Sequence, residues 1–278
     1  MNEKEKEKER FAGLKEIGLD EMRKIQIEIL CAIDEFCRRE KINYSLAYGT
    51  LIGAVRHKGF IPWDDDVDIM MPRPDYEKFC AKFNDENSKY KILTPFTIKN
   101  SWWAIGRVID TDTILPLDFP RAKVDAGIFV DVVPVDGVPN DEKKRKSHLK
   151  KLLLWTWFGN CVNTYTASSS RKIFLAIPFF FAIYLFRIFC PSFCSRIVNK
   201  ISRKYSMKDS DYVLPLLFVY GDKIFPSSAF AEYIDVPFEG RTFKAIKGYD
   251  TFLTHIYGDY MTPPKRMQHD FTAYYKNK

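Results

Sequence analysis

Residues 59–71 read GFIPWDDDVDIMM: Asp64, Asp65, Asp66 and Asp68 run directly into an apolar stretch. A second apolar stretch, GIFVDVVPVDG at 127–137, carries Asp131 among valines. A carboxylate within a buried strand is costly unless a partner compensates it. Along a strand, side chains alternate faces, so Asp64, Asp66 and Asp68 share one face, and Val67 and Ile69 the other. Carboxylates this close repel unless a cation sits between them or one stays protonated. An Asp-x-Asp pair ending a buried strand suits a hard divalent ion such as magnesium. A metal also explains Asp131, as a third ligand. Asp64, close to Pro62, reads as a supporting group, Asp65 as a turn residue pointing away, and Asp136 as a loop residue beside Gly137. Two rivals remain. An EF-hand loop would place these aspartates at its first, third and fifth positions, but needs glycine where Ile69 stands. An acidic turn after Pro62 would need no metal at all.

The surrounding pattern is mixed. Apolar residues at Met22, Ile25, Ile29, Ile33 and Phe36 predict an amphipathic helix over 19–39. INYSLAY (42–48) reads as a strand, followed by a Gly49–Thr50 junction with Thr50 as cap of a short helix ending near Gly59. Such a junction offers backbone N–H groups and a hydroxyl to a phosphate. A helix with Asp75 near its start follows, and YKILTP and WWAIGRVID (90–95, 102–110) read as strands. YVLPLLFVYG and EYIDVPFEGRTFKAI suggest strands with a turn at Glu239–Gly240, and GYDTFLTHIYG a helix stopped at Gly258. Interspersed strands and helices predict an α/β or α+β class. No dinucleotide fingerprint or Walker loop is present. Strand, Gly-Thr, short helix, Asp-x-Asp strand and a later strand with one aspartate is the order of the nucleotidyltransferase fold. There a small mixed sheet flanked by helices carries three carboxylates and one or two magnesium ions.

Charge divides the chain. Residues 143–208 hold 14 Lys or Arg and no Asp or Glu, so the net +7 arises wholly from this stretch. The same stretch contains LLLWTWFGN and IFLAIPFFFAIYLFRIFC. Basic, aromatic and aliphatic residues together suit helices lying in an anionic membrane surface. Lys172 and Arg187 leave so short an uncharged run between them that a spanning helix would need snorkelling ends. A nucleic-acid partner is disfavoured, because phosphate-binding residues would want polar surroundings. Six scattered cysteines without a C-x-x-C pair read as reduced thiols in a cytosolic compartment. The expected organisation is a charged tail (1–10), a catalytic core (11–142), a basic helical insertion at the membrane interface (143–208) and a C-terminal part completing the core (209–278).

The stretch YGTLIGAVRHKGFIPWDDDVDIMMPRPDYEKF resembles the signature of the LicD family of phosphotransferases, and more distantly fukutin and fukutin-related protein. The C-terminal FEGRTF, YD, YGDYMTPP and His269 are similar to that family as well. Lys58 stands where the family pattern expects glycine, and Lys244 near an expected proline; neither touches the proposed ligands, and both bear on acceptor choice. The resemblance implies transfer of phosphocholine from CDP-choline to a sugar hydroxyl of a bacterial surface glycan or its lipid-linked precursor. It implies Asp66, Asp68 and Asp131 as ligands of Mg2+ or Mn2+, and Gly49 and Thr50 as a phosphate-facing turn. Asp131 is the expected acceptor of the proton from the sugar hydroxyl. Arg56 and Arg107 are candidates for the remaining phosphate charge, and Trp63 for stacking on a base. Tyr257, Asp259 and His269 fall in the matched C-terminal motif. The expected setting is the inner face of the cell membrane, attached peripherally or monotopically. Two alternatives keep the same residues: a nucleotidyltransferase delivering NMP from an NTP, and a membrane scaffold without activity.

Overall fold

The structure, a computed structural model, describes residues 11–86, 89–98, 103–115, 126–164, 192–217, 223–263 and 273–276. After a two-residue strand β1 (Glu16–Ile17), helix α1 (Leu19–Glu40) buries the predicted stripe from Met22 to Phe36. Asp20 and Glu21 sit in its first turn and Arg38 and Arg39 in its last, each favoured by the helix dipole. The chain then enters β2 (Ser45–Leu46) and a short helix α2 (Tyr48–Ile52), which widens into a π-turn over 53–57. The expected strand over 42–48 shrinks to two residues.

Strand β3 (Asp68–Pro72) leads into α3 (Arg73–Glu86), then β4 (Tyr90–Leu93), β5 (Gly106–Asp110), β6 (Thr113–Ile114) and the long β7 (Phe129–Val138). The main sheet runs β2-β3-β7-β5-β4, with β8 (Tyr212–Pro215) and β9 (Phe225–Pro226) added beside the later part of β7. Only β3 and β7 are parallel; every other pair in this sheet is antiparallel. The mixed sheet and its flanking helices match the expected α+β class.

Two registers position the site. Asp68 on β3 lies opposite Asp131 on β7, and Arg107 on β5 lies opposite Asp131 from the other side. Further along, Asp136 is not a loop residue. It lies within β7, buried, and takes a bidentate ion pair from Arg73 (2.7 Å from Nε). Burying the aspartate inside the strand is possible because Arg73, the first residue of α3, reaches across to it.

The ends of the basic segment are anchored to this sheet. Helix α4 (Glu142–Thr164) packs against α5 (Ser192–Ser202). Asn199 of α5 donates to the Ala104 carbonyl at 2.6 Å and accepts from Arg73. Residues 165–191, the middle of the expected membrane insertion, lie outside the described residues. Among the described residues, no helix is long and apolar enough to cross a membrane.

Strands β10 (Tyr233–Phe238) and β11 (Arg241–Ile246) form the predicted hairpin. Its turn residues Glu239 and Gly240 have φ of 48° and 69°, the left-handed pair that a two-residue turn uses to follow the strand twist. The hairpin docks on β2 through the Ile246 N–H to the Ser45 hydroxyl. Helix α6 (Tyr249–Tyr257) ends at Gly258, as expected, and β12 (Ala273–Tyr275) pairs with β1 and β6.

Candidate active site

The acidic run departs from strand alternation. Strand β3 begins only at Asp68, so Asp64, Asp65 and Asp66 occupy a loop whose carboxylate oxygens come within 4.8 Å of one another. Asp65 is buried rather than turned outward. Helix α1 holds this loop in place. The Arg23 guanidinium donates to the carbonyls of Ile61, Pro62 and Asp64, and the Gln26 amide donates to that of Asp65 at 2.8 Å. From the other end of the chain, Glu239 accepts from the Phe60 N–H at 2.9 Å. None of these three positioning residues is evident from local sequence; the only hint is a glutamine on the buried face of α1.

Gly49 and Thr50 do different work. A Cβ at Gly49 would stand 2.5 Å from Asp64 Oδ2, so glycine is what lets this carboxylate approach α2. Thr50 does not cap the helix; Ala47 holds that position without a side-chain bond. The buried Thr50 hydroxyl instead accepts from the Asp68 N–H at 2.9 Å and fixes the start of β3.

The electrostatics are unbalanced toward negative charge. Burial, then Asp64 and Asp131, push the Asp66 carboxyl up to about 7. Burial, with Asp66 and Asp131 behind it, raises Asp68 well above the carboxylate range. Asp131 is raised by burial, against the pull of Arg107, which donates to both its oxygens at 2.7 and 3.2 Å. One guanidinium does not offset three or more carboxylates. A set of hard oxygen donors with elevated proton affinity fits a divalent cation, which would replace those protons.

A cavity of about 500 Å³ opens beside these acids, bordered by Gly49, Arg56, Trp63, Asp64, Asp66 and Asp68 and, from the C-terminal part, by Tyr257, Asp259 and Tyr260. The sequence candidates therefore converge from both ends of the chain. Arg56 is oriented by the Tyr260 carbonyl at 2.6 Å. Burial and the charges of Asp68, Asp64 and Asp66 raise the Tyr257 phenol. The Asp259 carboxylate is occupied locally, accepting from the Met261 and Thr262 N–H groups and the Thr262 hydroxyl. His269 lies outside the described residues. Lys58 adopts φ +61°, a left-handed conformation that would suit the glycine expected there from the resemblance. Lys244 pairs with Asp235 on the hairpin.

The family model described as "LicD/FKTN/FKRP, nucleotidyltransferase domain" matches residues 41–157, which contain all three candidate ligands. Over 262 residues, 92% of this chain and 96% of the relative, the sequence is 33% identical to the lipopolysaccharide cholinephosphotransferase LicD of Haemophilus influenzae. The chain belongs to the LicD family. It is a phosphotransferase. A shorter match, 38% identical over 69 residues and covering 25% of this chain and 23% of the relative, links it to an uncharacterised protein of Rickettsia prowazekii.

Proposed function

We propose that this LicD-family enzyme transfers phosphocholine from CDP-choline to a sugar hydroxyl of a cell-surface glycan or its lipid-linked precursor, releasing CMP. The observation that carries the reading is the line of Asp68, Asp131 and Arg107 across three adjacent strands, beside a cavity with acidic and aromatic walls. The similarity to a lipopolysaccharide cholinephosphotransferase supports choline as the transferred alcohol and a lipopolysaccharide-type acceptor.

Asp66, Asp68 and Asp131 would hold Mg2+ or Mn2+, which supplies charge neutralisation for the diphosphate and the departing CMP. Arg56, oriented on the cavity wall, is suited to the phosphate oxygens. Trp63, Tyr257 and Tyr260 line the space for the organic ends of the donor, where a trimethylammonium gains from an aromatic surround. Asp131, paired and oriented by Arg107, is placed to accept the proton of the attacking hydroxyl. The acceptor oxygen then bonds to the choline-bearing phosphorus as its bond to the CMP oxygen breaks. Incubation with Mg2+ and CDP-choline, CDP-ethanolamine, a CDP-polyol or CTP tests the reading. CMP from CDP-choline supports it; pyrophosphate from CTP alone would favour a nucleotidyltransferase.

Attachment to the inner face of the membrane belongs to the same proposal. Helix α4 exposes Lys143, Lys146, Lys150 and Lys151 together with Leu153, Leu154 and Trp157, the mixture that binds anionic lipid. Pelleting with anionic vesicles, lost when these lysines become glutamine, is the expected result.

A further inference from the structure

A second cavity, of about 160 Å³, opens among β5, β7, α4 and α5. Asp131 and Arg107 line it, together with Trp103, Trp155, Thr156 and Asn160. The larger cavity is bordered by Asp68, the register neighbour of Asp131, and Leu217 borders both. The two spaces are thus lined by a pair of carboxylates on adjacent strands.

Resting on the phosphocholine reading, we propose that this second cavity receives the acceptor as a neutral sugar unit, one hydroxyl directed at Asp131. Its chemistry differs from that of the larger space. The wall here is an ion pair, Arg107 with Asp131, instead of a crowd of carboxylates. A trimethylammonium is disfavoured next to the Arg107 guanidinium, and an anionic sugar substituent next to the Asp131 carboxylate. A neutral sugar carries neither charge. Its C–H face stacks on an indole, which Trp155 supplies, while the Trp103 ring lies under the Arg107 guanidinium at 4.7 Å. Its hydroxyls find an acceptor in Thr156, whose own proton goes to the Leu152 carbonyl at 2.9 Å, and an amide in Asn160. One Arg107 Nη nitrogen is buried without a hydrogen-bond partner, a donor for an oxygen brought up to Asp131. On transfer, the hydroxyl proton passes to Asp131, the sugar oxygen bonds to phosphorus, and CMP leaves with the electron pair of the broken P–O bond. Helices α4 and α5 are the two ends of the basic segment, so that segment shapes the acceptor space besides carrying the basic surface.

Saturation-transfer NMR of the full-length protein with methyl glycosides of glucose, galactose and N-acetylglucosamine tests this without any turnover. At least one glycoside gives signal with the wild type and with Asp68→Asn, and its affinity falls about tenfold in Trp155→Ala. In turnover, Trp155→Ala raises the acceptor KM and leaves the donor KM unchanged. If Trp155→Ala fails to fold, Asn160→Leu is read the same way. No glycoside signal in the wild type, or a signal indifferent to both substitutions, overturns the proposal. Failure of CMP release from CDP-choline with glycoside binding intact would instead strike only the phosphocholine reading.

Discussion

The parallel pair β3 and β7 carries buried charge at both ends, and the two ends are built in opposite ways. At the far end Arg73 and Asp136 form a bidentate pair, and Asn199 and Ser202 each accept a further guanidinium N–H. Every charge there has its partner within the protein. At the near end Asp68 and Asp131 lie side by side, Asp66 joins them, and Arg107 is the one cation among the partners of Asp131 described. A closed network of this kind holds elements together, here α3, β7 and α5. An open one raises proton affinity and waits for an external cation. The difference separates a structural aspartate from the proposed catalytic ones in the same sheet.

That contrast can be broken most sharply by exchanging one carboxylate at each end for its amide. Asp68→Asn should lower phosphocholine transfer by about a thousandfold while leaving the protein folded. Without added metal it should also melt higher than wild type, because a like-charge repulsion has gone. Asp136→Asn should do the reverse. It leaves Arg73 buried with half its compensation, at a cost of about 3–5 kcal/mol by urea unfolding, with the donor KM unchanged. If both variants behaved alike, the distinction between closed and open networks would fail.

Gly49→Ala sharpens the account of the near end, since its methyl would stand 2.5 Å from Asp64 Oδ2. Turnover should drop by about ten- to a hundredfold, with the melting temperature changed far less. A pH series of melts reads the same end without substitution. The raised Asp66 and Asp68 carboxyls hold protons in the folded state that the unfolded chain has already lost. Folding stability therefore falls as pH rises from the ordinary carboxylate range through about 7. Millimolar Mg2+ should flatten that decline. The smallest effect is expected at Lys58→Gly, which relieves a left-handed residue and should add about 1 kcal/mol of stability.

Features set by neighbouring residues were legible in the sequence. The stripe on α1 is a local period, and the turn at Glu239–Gly240 is a local conformational demand. A partner for Asp131 was expected from the cost of placing a carboxylate among valines, and the register sets Asp68 beside it. Reading Asp64 and Asp66 by strand alternation failed because the strand starts after them. Asp136 was misread as a loop residue because its partner, Arg73, lies 63 positions away. The Arg23 clamp spans 41 positions and the Gln26 contact 39. The acceptor-side cavity draws on β5, β7, α4 and α5, so no single stretch announces it.

The central claim, that the near end is built for a divalent cation, is tested most directly by Mn2+ titration followed by electron paramagnetic resonance at pH 8. The wild type should remove free Mn2+ signal with saturable, Mg2+-competable binding that disappears in Asp68→Asn and persists in Asp136→Asn. Binding unchanged in Asp68→Asn, or no binding by the wild type, would contradict it.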